Sequence, residues 1–455
     1  MDLGQAVEAW WTTPIVGAPE VYGTLSEEGG SILLKTVDRL DPPADGGVGK
    51  PRPTLPVVHG LDRSGMPVTL LGCTRSRWGF GGSPRNPEVW TVSAVVGGRF
   101  LESADDPMTE VRFQFGPLMS WASEWVGITS HDPSESTITM TSTVEPLGDG
   151  VDGDVRIEMI AGHVWSASAT SGSIERTAEV RVHPGAVALS VRRAVETYGF
   201  PIRDLLAMCT RSYVSIDQVV CYPERESSHR SPGVYCARLL RPMELPKTVQ
   251  PHEMVATLPQ FGMTLADLLP AWMKVWRRHR EAIVYLTLPT YAPYMYTNTL
   301  ALTAWLAVEN YHSSAMRMSR AATKAARVAH AARVDAIVAA APAEHQEWAE
   351  RMLRPMNALG LRGKLSQLVE RSGATGAAVV GANGRFVADA TRVRNKTAHP
   401  SSFEDDDGPM FRYIAETLRW MLTHCLLVDV GLQSRRAEEL IANQRQFQFD
   451  IQARP

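Results

Sequence analysis

A chain of 455 residues exceeds one comfortable core and, at roughly 100–200 residues per domain, is expected to form two or three. An apolar content of 44% and a charged content of 21% exclude global disorder and a fibrous class. A net charge of −3 excludes a uniformly basic nucleic-acid binder, so any RNA or DNA site has to be a local patch.

The chain opens on MDLGQAVEAWW, with an acidic second residue and no basic stretch before an apolar run, which is not the pattern of a signal peptide. Up to about residue 240, short segments alternate apolar and polar residues or are rich in β-branched ones: SILLKTV (31–37), PVTLLGC (67–73), WTVSAVV (90–96), VRFQFG (111–116), STITMTSTV (136–144) and DVRIEMIA (154–161). Gly/Pro/Asp-rich turns separate them, which predicts antiparallel strands in a sandwich-like arrangement or a barrel. GFGGSP (79–84) lacks the strand–loop–helix setting of a phosphate cradle and reads as a loop, and no GxxxxGK[ST] occurs. DGVDGD (149–154) lacks the closing Glu and flanking helices of a calcium loop and reads as a hairpin turn. Cys73, Cys209, Cys221, Cys236 and Cys425 show no CxxC spacing and read as reduced thiols, which predicts a cytoplasmic protein.

Glycine is frequent up to Gly262 and then absent until Gly360, and the periodicity changes with it. Helices are predicted at 264–280, 297–340, 343–357, 361–372, 385–399 and 409–431. Phe411, Ile414, Leu418, Met421, Leu422 and Cys425 give the last of these an apolar face. The fold class is therefore multidomain α+β: a β-rich region over 1–245, and a helical region over 246–455 whose core spans about 295–435. TLALTAWLAV (299–308) stops at Glu309, short of the roughly 20 residues that a membrane helix needs, so no membrane span is expected. The Ala-rich segment 321–341 carries Lys324, Arg327 and Arg333, a solvated helical face or a basic ridge. Glu404 to Asp407 reads as a solvated connector.

RNKTAHP (394–400) concentrates the candidate chemistry. Arg followed by His at this kind of spacing recurs at Arg419/His424, Arg52/His59, Arg156/His163 and Arg176/His183, so the spacing alone carries little. Arg419 and His424 sit within one helix, where five residues leave their side chains roughly 140° apart. Arg394/His399 differs because Pro400 disfavours α geometry at His399, which frees the imidazole at a helix end. The partial negative charge there favours imidazolium, and Asn395 offers an amide to orient the ring or a phosphate oxygen. One Arg, one His and one amide suit RNA, whose 2′-hydroxyl is its own nucleophile. A single imidazole supplies only one of two proton transfers, so the chemistry predicts a homo-oligomer, at least a two-fold dimer.

RNKTAH resembles the R-[polar]-x3-H motif of HEPN-domain ribonucleases, with WLAVENYH (305–312) upstream and a long closing helix downstream. WWTTP (10–14), VYGTLSEEGGSILL (21–34), VHGLDRSGMPVTLLGC (58–73) and FGPLMSWASEW (115–125) resemble the β-rich N-terminal region of ApeA-type anti-phage proteins, which carry a C-terminal HEPN domain. The resemblance implies a metal-independent endoribonuclease of abortive infection. In that reading Arg394 and His399 are catalytic, Asn395 supports them, and Glu309 on the facing helix orients Arg394. Lys396, Lys324 and Arg327 are candidate RNA contacts. No cofactor or metal is expected. RNA, with tRNA as one candidate, is the expected partner, together with a phage-derived trigger. The alternative is a non-catalytic HEPN-like nucleotide- or RNA-binding dimerisation module regulated by a β-rich ligand sensor.

Overall fold

The computed structural model describes residues 6–40, 54–78, 88–122, 145–167, 172–224, 233–237, 249–292, 294–315, 323–354, 360–398 and 407–454. GFGGSP and STITMTSTV lie outside them. The chain divides into two compact units, one of residues 1–206, 214–249 and 263–270, the other of 207–213, 250–262 and 271–455.

The first unit is built on strands β1 (Val7–Thr12), β2 (Val21–Glu28), β3 (Ser31–Thr36), β4 (Thr54–Asp62), β5 (Pro67–Trp78) and β6 (Glu88–Gly97). It continues with β7 (Met108–Phe115), β8 (Glu145–Asp152), β9 (Val155–Ala167), β10 (Gly172–His183), β11 (Ile216–Pro223) and β12 (Gly233–Ala237). The order β3-β2-β1-β4-β5-β6 closes on itself through a β3–β6 pairing, so six antiparallel strands form a barrel. The remaining strands extend it as a sheet, β6-β12-β11-β7-β10-β9-β8. Of the two expected arrangements the barrel is the one found, and it opens into a sheet.

The junction has a local cause. Strand β6 pairs with β3 as far as Val92 and with β12 from Ala94 onward. Between them, Ser93 faces Gly72 of β5, whose φ of +61° lies in the left-handed region that favours glycine. On the other side of Gly72 the β4 register passes through Pro56, which has no N–H to give to a ladder. There β6 leaves one partner for another.

Adjacent residues of a strand point to opposite faces, which decides the Trp10-Trp11 pair. Trp10 is 57% exposed, whereas Trp11 fills the barrel interior with Leu25, Ile32, Leu34, Val58, Leu70 and Trp90. The Trp11 indole N–H donates to the Gly23 carbonyl at 3.1 Å, and a Cβ on Gly60 would lie 2.5 Å from its ring. DGVDGD forms the predicted hairpin: Asp152 pairs with Val155 across Gly153, at φ +69°.

The helices are α1 (Leu118–Ala122), α2 (Val191–Ala194), α3 (Phe200–Thr210), α4 (Leu258–Phe261), α5 (Leu265–Tyr291), α6 (Thr297–Ala315) and α7 (Thr323–Ala340). After them come α8 (Ala343–Leu353), α9 (Leu361–Arg371), α10 (Gly373–Ala382), α11 (Phe386–Ala398), α12 (Gly408–Val430), α13 (Ser434–Ala442) and α14 (Arg445–Gln452). The region from Thr297 to Gln452 is all helical among the described residues. Helix α12 is buried nearly all round, not along one face, because α6, α9, α10, α11, α13 and α14 all pack on it. Ala301, Ala304 and Ala307 let α6 approach it closely. Thr417 and Thr423 satisfy their buried hydroxyls on the carbonyls of Tyr413 and Arg419, one turn back.

Several helices depart from the periodicity reading. Helix α5 runs to Tyr291 with non-helical backbone at His279. Helix α2 continues through a π turn (Val195–Gly199) into α3, within the half that reads as strands. GATGAAVVGA forms α10, where small residues permit close packing on α9: a Cβ on Gly376 would lie 2.3 Å from the Val369 carbonyl oxygen.

Candidate active site

Helix α11 places Phe386, Ala390 and Val393 at steps of four and three, all buried, which fixes that face against the bundle. Its start is held by Asn383, whose Oδ1 accepts from the Arg385 amide while its Nδ2 donates to Asp389. Arg394, one residue past the buried Val393, is carried to the margin of that face, toward α6. There its Nε lies 3.5 Å from Glu309 Oε1, with side chains 38% and 28% exposed. Among the described residues the Arg394 guanidinium has no other hydrogen-bond or ion-pair partner, so its terminal N–H groups are open to a ligand. The structure thereby brings Arg394 and Glu309 together.

Asn395 is exposed beside Arg394. Lys396, by contrast, is engaged: its Nζ donates to both carboxylate oxygens of Asp407 at 2.9 and 2.8 Å, tying the last turn of α11 to the residue that caps α12. Of the acidic run 404–407, Asp407 alone is described, and this contact offsets its charge. Thr397 donates to the Arg394 carbonyl at 2.7 Å. Helix α11 ends at Ala398, and His399 lies outside the described residues. Lys324 and Arg327 belong to α7, and their side chains lie outside the described residues as well.

On the opposite side of α6 from Glu309 is a polar cluster that periodicity does not reveal. Asp429 of α12 accepts from the Tyr311 hydroxyl at 2.7 Å and from Arg371 of α9 at 2.6 Å, and lies 3.4 Å from His279 Nε2. Arg371 Nε also donates to the Tyr311 oxygen at 2.8 Å, and His279 Nδ1 sits 2.6 Å from the Ser314 hydroxyl. Burial opposes ionisation of Asp429, but His279, Tyr311 and Arg371 outweigh it and hold the carboxyl below its ordinary range. Four helices, α5, α6, α9 and α12, are joined here, which fixes the helix that carries Glu309. The local signal for it is the Tyr in WLAVENYH, two residues after Glu309 and hence on the far face.

Arg419 and His424, the same-helix pair, face different neighbours as expected. Arg419 pairs with Glu416, which also holds Arg211. His424 is fully buried near Ser434, and burial pushes its pKa down to about 4, so it is neutral at pH 7. Cys73, Cys221 and Cys425 are buried thiols pushed up to about 12 by burial, which makes them poor nucleophiles. Among the described residues, no cluster of three or more His, Cys, Asp or Glu could hold a metal ion. No helix described is long and apolar enough to cross a membrane.

A bundle wrapped on one closing helix, with an Arg-Asn step at the end of the helix before it, is the arrangement of a HEPN domain, and residues 302–436 match the family model described as Apea-like HEPN. Residues 9–272, more than half of the chain, match ApeA N-terminal domain 1. The chain therefore belongs to the ApeA family, HEPN-containing proteins of anti-phage defence. No curated protein and no solved structure matches it.

Proposed function

We propose that the chain is a metal-independent endoribonuclease that cuts single-stranded RNA, exposed tRNA loops being candidates, when a phage-derived trigger is present, and so aborts infection. The observation that carries this reading is Arg394, partly exposed, its Nε 3.5 Å from Glu309, with its terminal N–H donors unoccupied among the described residues. HEPN domains are generally ribonucleases, and membership of the family supports the same activity.

In this mechanism His399 of one chain removes the proton from a 2′-hydroxyl, and the oxygen attacks the adjacent phosphorus. Negative charge develops on the non-bridging oxygens, where Arg394 neutralises it and Asn395 donates a hydrogen bond. The partner subunit's His399, protonated, gives its proton to the departing 5′ oxygen as that P–O bond breaks. The products are a 2′,3′-cyclic phosphate and a 5′-hydroxyl. One imidazole cannot be base and acid in the same step, so the active site is composite, at a two-fold interface between copies. The charges it needs come from side chains, so a chelator leaves cutting intact.

The test is expression of wild type, Arg394→Ala and His399→Ala in phage-challenged cells, with sequencing of RNA ends. Both variants are expected to lose protection and the cyclic-phosphate ends together. RNA binding retained with no cleavage under any trigger would instead assign a non-catalytic nucleotide- or RNA-binding dimerisation module, regulated by the β-rich unit as a ligand sensor.

A further inference from the structure

Helix α14, RQFQFDIQ, places Phe447 and Phe449 two residues apart, so they cannot both face the core. Phe447 is buried edge-on against Trp420 of α12 at 5.5 Å, and Phe449 is left 62% exposed. Phe449 forms one wall of a cleft of about 480 Å³ between α14, the first half of α12 and the start of α6. Its other walls include Thr297, Pro409, Arg412, Glu416 and Asp450. That volume is within the range of small-molecule sites, roughly 300–1,000 Å³.

The charges lining the cleft are unequal in what they leave open. Glu416 is taken by Arg211 and Arg419, whose attraction outweighs its burial and holds its pKa below the usual range. Asp450 accepts from the Trp420 indole N–H and from Gln446, each at 2.8 Å. Arg412 is exposed and has neither ion pair nor hydrogen bond among the described residues. The cleft therefore presents one open cation, one exposed aromatic ring and an otherwise mostly apolar lining. A planar base with a phosphate attached meets all three: the ring stacks, the guanidinium pairs bidentately with the phosphate, and the satisfied carboxylates do not repel it as bare charges would.

Position relative to the candidate active site agrees. Thr297 and Glu309 lie on the same helix twelve residues apart, roughly 18 Å at about 1.5 Å per residue. A strand with stacked bases spaced about 3.4 Å apart covers that in about five nucleotides. We infer that the α12–α14 cleft is a nucleotide subsite, with a base against Phe449 and its phosphate on Arg412, which holds RNA several residues from the bond that is cut. The inference rests on the ribonuclease reading for its substrate, and a free nucleotide has the same recognition chemistry.

The experiment uses the full chain and a fluorescein-labelled 2′-O-methyl RNA dodecamer, which lacks the nucleophilic hydroxyl and so reports binding alone, read by anisotropy. Phe449→Ala is expected to weaken binding roughly five- to a hundredfold, the range for loss of one base–aromatic stack. Arg412→Ala is expected to weaken it and to reduce the salt-dependence slope by about one. Unlabelled AMP is titrated in parallel. If AMP binding alone is lost in both variants, the occupant is a free nucleotide; if dodecamer binding is lost, it is RNA. Affinities for both ligands within twofold of wild type in both variants overturn the inference. Cleavage of unmodified RNA is measured alongside. Cutting with unchanged binding in the variants sinks the subsite and leaves the ribonuclease reading, and binding at the cleft without any cutting does the reverse.

Discussion

Glu309→Gln separates two contributions that Arg394→Ala removes together. The Glu309–Arg394 pair has its charges 3.5 Å apart with both side chains about a third exposed. Coulomb attraction at that distance is about 1 kcal/mol in a water-like dielectric, and measured exposed pairs contribute roughly 0.2–1 kcal/mol. If Glu309 acts only by orienting the guanidinium, its amide variant loses at most about fivefold in rate. Arg394→Ala deletes the cation that meets the developing phosphorane charge, and by analogy with loss of one oxyanion donor costs roughly a hundred- to a thousandfold. The assay is single-turnover cleavage of end-labelled RNA, with product ends identified as cyclic phosphate. A Glu309→Gln loss as large as that of Arg394→Ala would refute the orienting role and put the carboxylate in proton transfer. No loss in Arg394→Ala would remove this site from the chemistry altogether.

Three further outcomes concern stability. His424 has a folded pKa of about 4 against about 6.5 when unfolded, so the unfolded chain takes up the proton first as pH falls; the stability is complete above pH 6.5 and is lost toward pH 4, by about 2 kcal/mol at pH 5. Urea midpoints at pH 7.5 and 5 are expected to differ less in His424→Leu than in wild type. Asp429→Asn leaves Arg371 and His279 without their shared carboxylate and is expected to cost on the order of 3 kcal/mol in urea unfolding, with a smaller loss in Tyr311→Phe. Gly60→Ala sets a methyl group 2.5 Å from the enclosed Trp11 ring and is expected to destabilise the barrel by about 1–3 kcal/mol, followed through Trp fluorescence; an unchanged midpoint would mean that the ring has room to yield.

Local pattern makes β3, β5, β6, β7 and β9, the DGVDGD hairpin and the helices α9, α11 and α12 legible in the sequence, because each obeys one period along a single run of chain, whereas no predicted strand covers β1, β2 or β4 of the barrel. The facing of Glu309 and Arg394 follows from the resemblance and not from periodicity. What stays hidden depends on distant partners. Barrel closure needs Leu34 beside Trp90, and the cluster on Asp429 needs Tyr311 and Arg371. Nothing in RQFQFDIQ says that Phe449 will stand opposite Arg412. No predicted helix covers GATGAAVVGA, yet its small residues are what a tightly packed helix requires. Helix α12 shows one apolar stripe in sequence, whereas its burial all round follows from the number of helices packed on it.

The change of partner at Ser93 has a mechanical meaning. Because β6 belongs to both the barrel and the sheet, its unfolding breaks a ladder in each, and the two are expected to melt in one calorimetric transition. The same continuity makes β6 a lever: a ligand that altered the twist of β12 would pull on backbone that also closes the barrel. Gly72, opposite the pivot, is where such a lever would turn.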